Sequence, residues 1–175
     1  MWAVLPLKDF VSAKQRLSGV LSATERRRLF HAMVEDVLSV LTQAPSIDGI
    51  VIVSDDPTAE LMAKHYAVTL ISEPAQIAPA KLTSTTILSP LNAAINAGCE
   101  HVLQLTDDTD ICILHADLPE LSIAEIERLA HQRDDLSPSE RRDSVILVSD
   151  RHQAGTNAMV LHSSHFLPLK VQQRN

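Results

Sequence analysis

The stretch that decides the fold expected of this chain is Ile111-Cys112-Ile113-Leu114-His115-Ala116-Asp117-Leu118-Pro119. Its first four residues are all apolar, which is typical of a strand buried on both faces of a parallel sheet. Asp117 follows shortly after that strand, and ligands of open α/β sheets bind at the carboxyl ends of strands. A carboxylate there can bind Mg²⁺, which commonly takes one or two carboxylates together with substrate phosphates. We therefore predict a ligand-binding edge of the sheet beside Asp117.

Strand-like and helix-like segments alternate on both sides of this stretch. Capping patterns led by Ser22, Asp56, Ser89 and Ser122 predict the starts of helices. Apolar runs predict further strands at residues 2–7, 49–54, 68–71, 145–148 and 158–161. This order predicts an α/β fold of three layers, a mostly parallel sheet with helices on both faces, in a single domain of residues 1–175.

Other local expectations concern residues 73–143. Gly98 is expected to end the helix that follows Ser89, because glycine is favoured just past a helix C-terminus. The apolar run at 101–105 is then interpreted as a strand or as an extended approach to the next strand. The charged residues 133–143 are expected to form a solvated connector. Residues 73–89, rich in Pro, Ser and Thr, are expected to form a long loop.

Composition excludes several classes of protein. The net charge of −7 argues against a general nucleic-acid binder. We find no apolar run approaching the roughly 18 residues of a membrane span and no signal peptide, so no membrane association is expected. The two cysteines have no metal-binding spacing and do not form a disulfide framework. The expected location is the cytoplasm, a reducing compartment.

Basic side chains follow the first predicted strand, which places them at the same edge of the sheet as Asp117. Lys8, Lys14 and Arg16 could hold phosphates and offset negative charge in a transition state. The alternative is a solvated basic loop without a ligand. A P-loop enzyme is not expected, because the chain has no Walker-type glycine loop.

A small polar loop precedes the last predicted strand. Gly155 could let the backbone approach a ligand closely, and Thr156 and Asn157 could donate hydrogen bonds to a phosphate or a base. The alternative is an ordinary polar turn between two strands.

Acidic residues elsewhere have weaker functional interpretations. Asp56 could contact a ligand, but a role as a helix N-cap is the stronger interpretation. The cluster of Asp107, Asp108 and Asp110 could bind a cation, but a solvated turn is favoured because Asp often stabilises turns by local hydrogen bonds. His115 lies two residues before Asp117 and is interpreted as a supporting residue of the same edge.

Motifs in order along the chain carry a resemblance to a known family. The chain resembles the phospholactate guanylyltransferase family, which acts in biosynthesis of the deazaflavin coenzyme F(420). The family's patterns are V-P-x-K, A-K-x-R-L, L-S-x-x-E-R, G-L-N-x-A-L, G-D-L-P and D-x-x-G-T-N-A, and the glycine of the fourth pattern is Pro90 in this chain. The matching segments are residues 4–8 (VLPLK), 13–17 (AKQRL), 21–26 (LSATER), 91–95 (LNAAI), 114–119 (LHADLP) and 150–158 (DRHQAGTNA).

The resemblance implies a fold, a reaction and a set of site residues. The fold would be a Rossmann-like nucleotidyltransferase sheet of the glycosyltransferase-A type. A phosphorylated 2-hydroxy acid (2-phospho-L-lactate, phosphoenolpyruvate or 3-phospho-D-glycerate) would attack the α-phosphate of GTP and release pyrophosphate. Asp117 would bind Mg²⁺, and Asn92 would lie near the guanosine. Lys8, Lys14 and Arg16 would hold the triphosphate and the acceptor, while Gly155, Thr156 and Asn157 would lie near the acceptor or the phosphates.

Two alternatives to an active guanylyltransferase stay open at this point. The family pattern continues with a G-x-x-S-F segment, a final strand and a D-x-D pair, which this chain lacks before its last residue, Asn175. The chain could therefore be a truncated, catalytically weak remnant that binds nucleotide or a partner protein. An unpaired sheet edge where the absent strand would lie would favour a homodimer. The other alternative is a nucleotidyltransferase of the same fold that uses CTP or UTP with a sugar phosphate.

Overall fold

A computed structural model describes residues 1–7, 10, 14–75, 89–153 and 155–166. Lys8, most of the predicted loop at 73–89 and the last nine residues lie outside this described part. The predictions that fall on them are therefore neither confirmed nor contradicted.

A sheet of six strands forms the centre of the fold. The strands are β1 (Trp2–Pro6), β2 (Gly49–Val53), β3 (Thr69–Ile71), β4 (Asp110–Leu114), β5 (Val145–Ser149) and β6 (Thr156–His162), arranged in the order β3-β2-β1-β4-β6-β5. The first four are parallel to one another, while β6 runs antiparallel to both β4 and β5. Because β6 is antiparallel, its first residues lie beside the last residues of β4, where Ala158 is opposite Leu114.

Helices cover both faces of the sheet, as predicted. They are α1 (Ala23–Gln43), α2 (Pro57–Tyr66), α3 (Pro90–Leu105), α4 (Ile123–Asp134) and the short α5 (Pro138–Asp143). Residues of α1, α2 and α4 share one buried cluster with Leu5 and Ile52 of the sheet, whereas α3 packs against Val4 and Val51 on the other face. In the described ranges, no helix is long and apolar enough to cross a membrane.

The predicted helix starts are confirmed by side-chain caps. The hydroxyls of Ser22 and Ser122 accept hydrogen bonds from the backbone of Glu25 and Glu125, and each glutamate bonds back to the serine N–H. These are reciprocal capping boxes, which satisfy two otherwise unpaired groups at a helix start. Each of these capping contacts joins residues only three positions apart. The helix starts could therefore be predicted from the sequence.

Gly98 does not end a helix, and this prediction is wrong. The residue lies inside α3, which continues through the apolar run 101–105 to Leu105. A Cβ atom at Gly98 would stand 2.5 Å from Cγ1 of Val4 in β1. Glycine is therefore required here for close packing of a helix on a strand, and the run at 101–105 is helix rather than strand.

The interpretation of Asp110 and Arg133 as solvated is wrong, whereas Asp107, Asp108 and most of residues 134–143 are exposed, as predicted. Asp110 and Arg133 are each only 1% exposed, and they form an ion pair of 2.9 Å. Arg141 of α5 binds the other oxygen of Asp110 at 2.8 Å. Two arginines occupy the position that a cation would need, so Asp110 is a structural carboxylate at the start of β4.

Both cysteines are buried as free thiols on opposite sides of the sheet. Burial raises the pKa of Cys99 and of Cys112 to about 12. The thiols are therefore neutral at physiological pH and act as small apolar core residues.

Candidate functional site

The contact that defines the candidate site joins Lys14 to Asp117. The chain places them together because β1 and β4 are parallel neighbours, with Val4 opposite Ile113, so that the segments following both strands leave the sheet at one edge. The Nζ atom of Lys14 lies 2.6 Å from Oδ2 of Asp117, and both side chains are partly exposed. The structure thus brings together a predicted phosphate-binding cation and the predicted metal-binding carboxylate, and their chemical roles stay predictions.

Lys14 has a backbone conformation that its residue type disfavours. Its φ of 55° and ψ of 35° lie in the left-handed region, which costs an L-residue other than glycine about 1–2 kcal/mol. The Lys14 carbonyl accepts a hydrogen bond from the N–H of Leu17, closing a short 3-10 turn over Gln15–Leu17. This turn and the ion pair with Asp117 hold the conformation, which places the ammonium group over the sheet edge.

Asp56 binds the backbone of Phe10, which lies between β1 and Lys14 in the sequence. Its Oδ2 accepts a hydrogen bond of 2.9 Å from the N–H of Phe10, and its Oδ1 accepts one of 2.7 Å from the N–H of Thr58. Burial raises the pKa of Asp56, but these two N–H donors, the Thr58 hydroxyl and the charge of Arg27 together outweigh it and hold the pKa below its ordinary value. The carboxylate is therefore the N-cap of α2, as predicted, and also binds the backbone of Phe10.

Phe10 is the structural residue that sequence reasoning missed. Its ring is fully buried and packs edge-on against Phe30 of α1, with ring centroids 4.8 Å apart. A large aromatic residue among charged and small neighbours is a signal that could have indicated an anchor. Buried in this way, Phe10 is a core residue between β1 and Lys14 in the sequence.

The predicted polar loop lies beside the end of β4, as its place before β6 requires. The backbone N–H of His115 donates a 3.1 Å hydrogen bond to the carbonyl of Asn157. The N–H of Asp150 donates to the Gly155 carbonyl at 3.0 Å, and a Cβ atom at Gly155 would stand 3.1 Å from Oδ2 of Asp150. Thr156 is exposed and available to a ligand.

Two grooves flank the junction of β4 and β6, and Asn157 contributes to both. The groove on the α3 side has a volume of about 260 Å³ and is lined by His115, Thr156 and apolar residues that include Leu91 and Ile95. The larger groove, of about 470 Å³, lies on the α4 side and has a mainly apolar lining. Charged side chains, among them Glu125 and Arg128, also line the larger groove, whereas the smaller groove combines an apolar wall with His115, Thr156 and Asn157.

Two of the predicted site residues are not brought to the Lys14–Asp117 pair. Arg16 is exposed in the 3-10 turn, and Asn92 is exposed in the first turn of α3, where its N–H bonds to the Ser89 hydroxyl. Neither has a hydrogen bond to the pair within the described residues. Lys8 lies outside the described ranges.

The residues present are compatible with a metal ion that is bound partly by the phosphates of a ligand. Among the described side chains, no group of three or more His, Cys, Asp or Glu residues could hold a metal. Asp117 is thus a single carboxylate, partly exposed and bound through one oxygen to Lys14. Such a donor set fits Mg²⁺ only when phosphate oxygens supply further ligands.

Comparison with known proteins decides the family. Residues 1–173 match the family described as "Guanylyl transferase CofC like". The chain belongs to this family. A phosphoenolpyruvate guanylyltransferase of Conexibacter woesei is 32% identical over 160 residues, which cover 91% of this chain and 64% of that protein. A 2-phospho-L-lactate guanylyltransferase of Methanobrevibacter ruminantium is 28% identical over 161 residues, which cover 92% of this chain and 63% of that protein.

This CofC-like chain therefore spans slightly less than two thirds of the length of these two relatives. Its fold is shared with solved nucleotidyltransferases. A cytidylyltransferase from Leptospira borgpetersenii serovar Hardjo-bovis superimposes with a TM-score of 0.56 at 10% identity, covering 97% of this chain and 63% of that one. The family resemblance and the nucleotidyltransferase fold predicted from the sequence are both confirmed.

Proposed function

We propose that this chain transfers GMP from GTP to a phosphorylated 2-hydroxy acid in biosynthesis of the deazaflavin coenzyme F(420). An oxygen of the acceptor's phosphate forms a bond to the α-phosphorus of GTP. The bond between that phosphorus and the bridging oxygen to the β-phosphate breaks, and pyrophosphate leaves. Family membership and the names of the relatives support this reaction.

The single observation that carries the proposal is the contact between Lys14 and Asp117 at the carboxyl edge of the sheet. Nucleotidyl transfer requires that two anions be brought together and that charge on the reacting phosphate be compensated. The Lys14 ammonium would bind phosphate oxygens and offset that charge. Asp117 would hold Mg²⁺, which when bound polarises a phosphate oxygen and neutralises the leaving pyrophosphate.

The remaining predicted residues would complete the substrate site. Lys8 and Arg16 would add positive charge on the segment after β1. Asn92, on the first turn of α3, would lie near the guanosine, while Thr156 and Asn157 would donate to the acceptor or its phosphate in the groove on the α3 side. Gly155 would keep the turn before β6 compact enough for those donors to face the groove.

Phosphoenolpyruvate is the acceptor that we propose to test before 2-phospho-L-lactate and 3-phospho-D-glycerate. The relative named for phosphoenolpyruvate is 32% identical to this chain, and the relative named for 2-phospho-L-lactate is 28% identical. The reaction is proposed to take place in the cytoplasm, where the two free thiols would remain reduced.

Calorimetric titration with GTP, with and without Mg²⁺, tests the nucleotide site. We expect Mg²⁺-dependent binding that weakens at least about tenfold in Asp117→Asn, since a charge-assisted contact to the metal is lost. Asp36→Asn, on the exposed face of α1, is the matched control and should bind like the wild type. A folded protein that binds no GTP would contradict the proposal.

Release of pyrophosphate with each of the three acids tests the transfer itself. GTP binding without turnover of any acid would instead support a nucleotide-binding protein of little catalytic activity. A preference for CTP or UTP would favour a nucleotidyltransferase that uses a sugar phosphate.

A further inference from the structure

His115, the first residue after β4, is exposed at the carboxyl edge of the sheet. Its imidazole forms no hydrogen bond or salt bridge within the described ranges of the chain. Side chains of a strand alternate between the two faces of the sheet. Ile113 belongs to the cluster beneath α3, whereas Leu114 and Ala116 belong to the cluster on the opposite face. His115 therefore projects to the α3 side, where it lines the smaller groove.

The pairing of β4 with β6 sets His115 beside Asn157. Leu114 is opposite Ala158, and the next hydrogen bond of the ladder joins the His115 N–H to the Asn157 carbonyl at 3.1 Å. Opposite residues of antiparallel strands have Cβ atoms on the same face, about 4.5–5.5 Å apart. The imidazole and the Asn157 amide are therefore neighbours at the groove, which both residues line.

A bulge in β6 brings a third polar side chain to the same face. In the pairing with β5, Ser149 is opposite Thr156. The preceding residue, Val148, is opposite Ala158, so Asn157 is an extra residue in β6. The extra residue shifts the alternation, and Thr156 lies on the opposite face from Ala158. Bulges commonly redirect a side chain next to an active site, and here the bulge turns the Thr156 hydroxyl toward the groove.

The remaining lining of the groove is apolar. It includes Leu91 and Ile95 of α3 and Met159 of β6. Pro6, the last residue of β1, also lines the groove, which therefore lies across the carboxyl ends of β1 and β4, where ligands of open α/β sheets bind. Its volume of about 260 Å³ is below the roughly 300–1,000 Å³ of sites for drug-sized ligands. This lining fits a small ligand that carries both polar and apolar groups.

The three proposed acceptors differ in the groups that they would present to this groove. In phosphoenolpyruvate and 2-phospho-L-lactate, the phosphate ester and the carboxylate share one carbon, C2, and C3 is an apolar methylene or methyl group. In 3-phospho-D-glycerate, the phosphate is on C3 and a hydroxyl group is on C2. Lys14 and a metal bound by Asp117 would hold phosphates, so the carboxylate requires another donor. The His115 imidazole, two residues before Asp117, can donate a charge-assisted hydrogen bond to it.

We propose that His115 is a specificity-determining residue that binds the carboxylate of a 2-phosphorylated three-carbon acid, while the apolar wall of the groove receives C3. This inference rests on the proposed function, which places the acceptor's phosphate beside Lys14 and Asp117. The C2 hydroxyl of 3-phospho-D-glycerate would lie against apolar side chains without a hydrogen-bond partner, which disfavours that acid.

Calorimetric titration of the 175-residue chain with 2-phospho-L-lactate and with ethyl phosphate tests this inference. Ethyl phosphate is the same ester with hydrogen in place of the carboxylate. Mg²⁺ and a GTP analogue with a methylene group between its α- and β-phosphates are present, so that no transfer occurs. We expect His115→Ala to weaken the binding of 2-phospho-L-lactate at least about tenfold, since a charge-assisted hydrogen bond is lost. Its affinity for ethyl phosphate should be unchanged.

Two further variants control for the loss of the side chain. His115→Gln should recover part of the affinity for 2-phospho-L-lactate, because its amide also donates a hydrogen bond. His65→Ala removes an exposed histidine of α2 and should bind both ligands like the wild type. An equal effect of His115→Ala on both ligands, with unchanged thermal unfolding, would overturn the proposal. A wild type that binds 2-phospho-L-lactate no more tightly than ethyl phosphate would overturn it as well.

Titration with 3-phospho-D-glycerate tests the assignment of C3 to the apolar wall. We expect this acid to bind at least about tenfold more weakly than 2-phospho-L-lactate, and the reverse order would overturn the assignment. The proposed function fails by a different result, namely no binding of GTP or no release of pyrophosphate. A carboxylate preference that depends on His115 in such a protein would contradict the reaction but support the inference. Transfer activity without that preference would contradict the inference alone.

Discussion

Lys14 and Asp117, which are 103 residues apart in the chain, form an ion pair of 2.6 Å between Nζ and Oδ2. Both side chains are partly exposed, so the pair contributes little to folding, as is usual for ion pairs in contact with solvent. Its position at the carboxyl edge of a parallel sheet suggests that the two charges serve a ligand rather than stability.

Lys14→Met should therefore weaken the binding of GTP while leaving the stability of the protein nearly unchanged. We expect the free energy of unfolding to change by about 1 kcal/mol or less. GTP affinity, in contrast, should fall by about tenfold or more, since a cation that faces phosphates is lost. Urea unfolding and calorimetric titration with Mg²⁺ and GTP measure the two quantities. Equal GTP affinity in Lys14→Met and the wild type would exclude Lys14 from the site.

Asp56→Ala should destabilise the protein in a pH-dependent way. Loss of the N-cap of α2 costs about 1 kcal/mol at neutral pH, and loss of the Phe10 contact adds to it. The pKa of Asp56 is held below its ordinary value in the folded protein. Its stabilising effect is thus complete above the unfolded pKa of about 3.9 and disappears as the pH falls through the folded pKa.

Urea unfolding of the wild type and Asp56→Ala at a series of pH values measures this effect. The two stabilities should converge below about pH 4, while Asp36→Ala should show no such convergence. A difference that stays constant as the pH falls would contradict the role of the ionised carboxylate.

Asp110→Ala should be among the most destabilising substitutions in the chain. It leaves Arg133 buried without its carboxylate, and breaking such a pair costs about 3–5 kcal/mol. Asp110→Ala combined with Arg133→Met should recover part of that loss, because the unpaired buried charge is removed. Asp134→Ala is the control, since this carboxylate also faces Arg141 but is 63% exposed. Denaturant unfolding of the wild type, Asp110→Ala, Arg133→Met and the double variant gives the coupling between Asp110 and Arg133.

Gly98→Ala should destabilise the protein despite the better helix propensity of alanine. The new methyl group would overlap with Cγ1 of Val4, and overpacking of this kind costs about 1–3 kcal/mol. Gly19→Ala is the matched control, because a Cβ there would meet no atom within 4 Å. Thermal unfolding of both variants checks the expectation, and a stabilised Gly98→Ala would show that α3 can move away from β1.

The elements that sequence reasoning placed well are those with local causes. Capping boxes at Ser22 and Ser122 and the Asp56–Pro57 start act over three or four residues, so their patterns are visible in the chain. The apolar runs of β1, β2 and β4 are buried on both faces, which predicted parallel strands and hence the edge beside Asp117. Lys14 and Asp117, which belong to two of the family's motifs, meet at that same edge.

Other features depended on contacts between distant parts of the chain. Gly98 is a packing residue because β1 passes next to it, and Asp110 is buried because Arg133 and Arg141 fold over it. No local pattern distinguishes these roles from a helix stop or a solvated turn. The antiparallel direction of β6, which brings Asn157 beside His115, likewise follows from pairing with β4.

The sequence by itself determined the family, the alternation of strands and helices, and the types of residue that can bind a nucleotide. Only the tertiary structure decided which of those residues meet. Lys14 contacts Asp117, whereas Arg16 and Asn92 are exposed and have no hydrogen bond to that pair within the described residues. The physical reason is that propensity, capping and hydrophobic pattern act over a few residues. The position of a side chain at a site is instead set by strand order and by the packing of segments far apart in the chain.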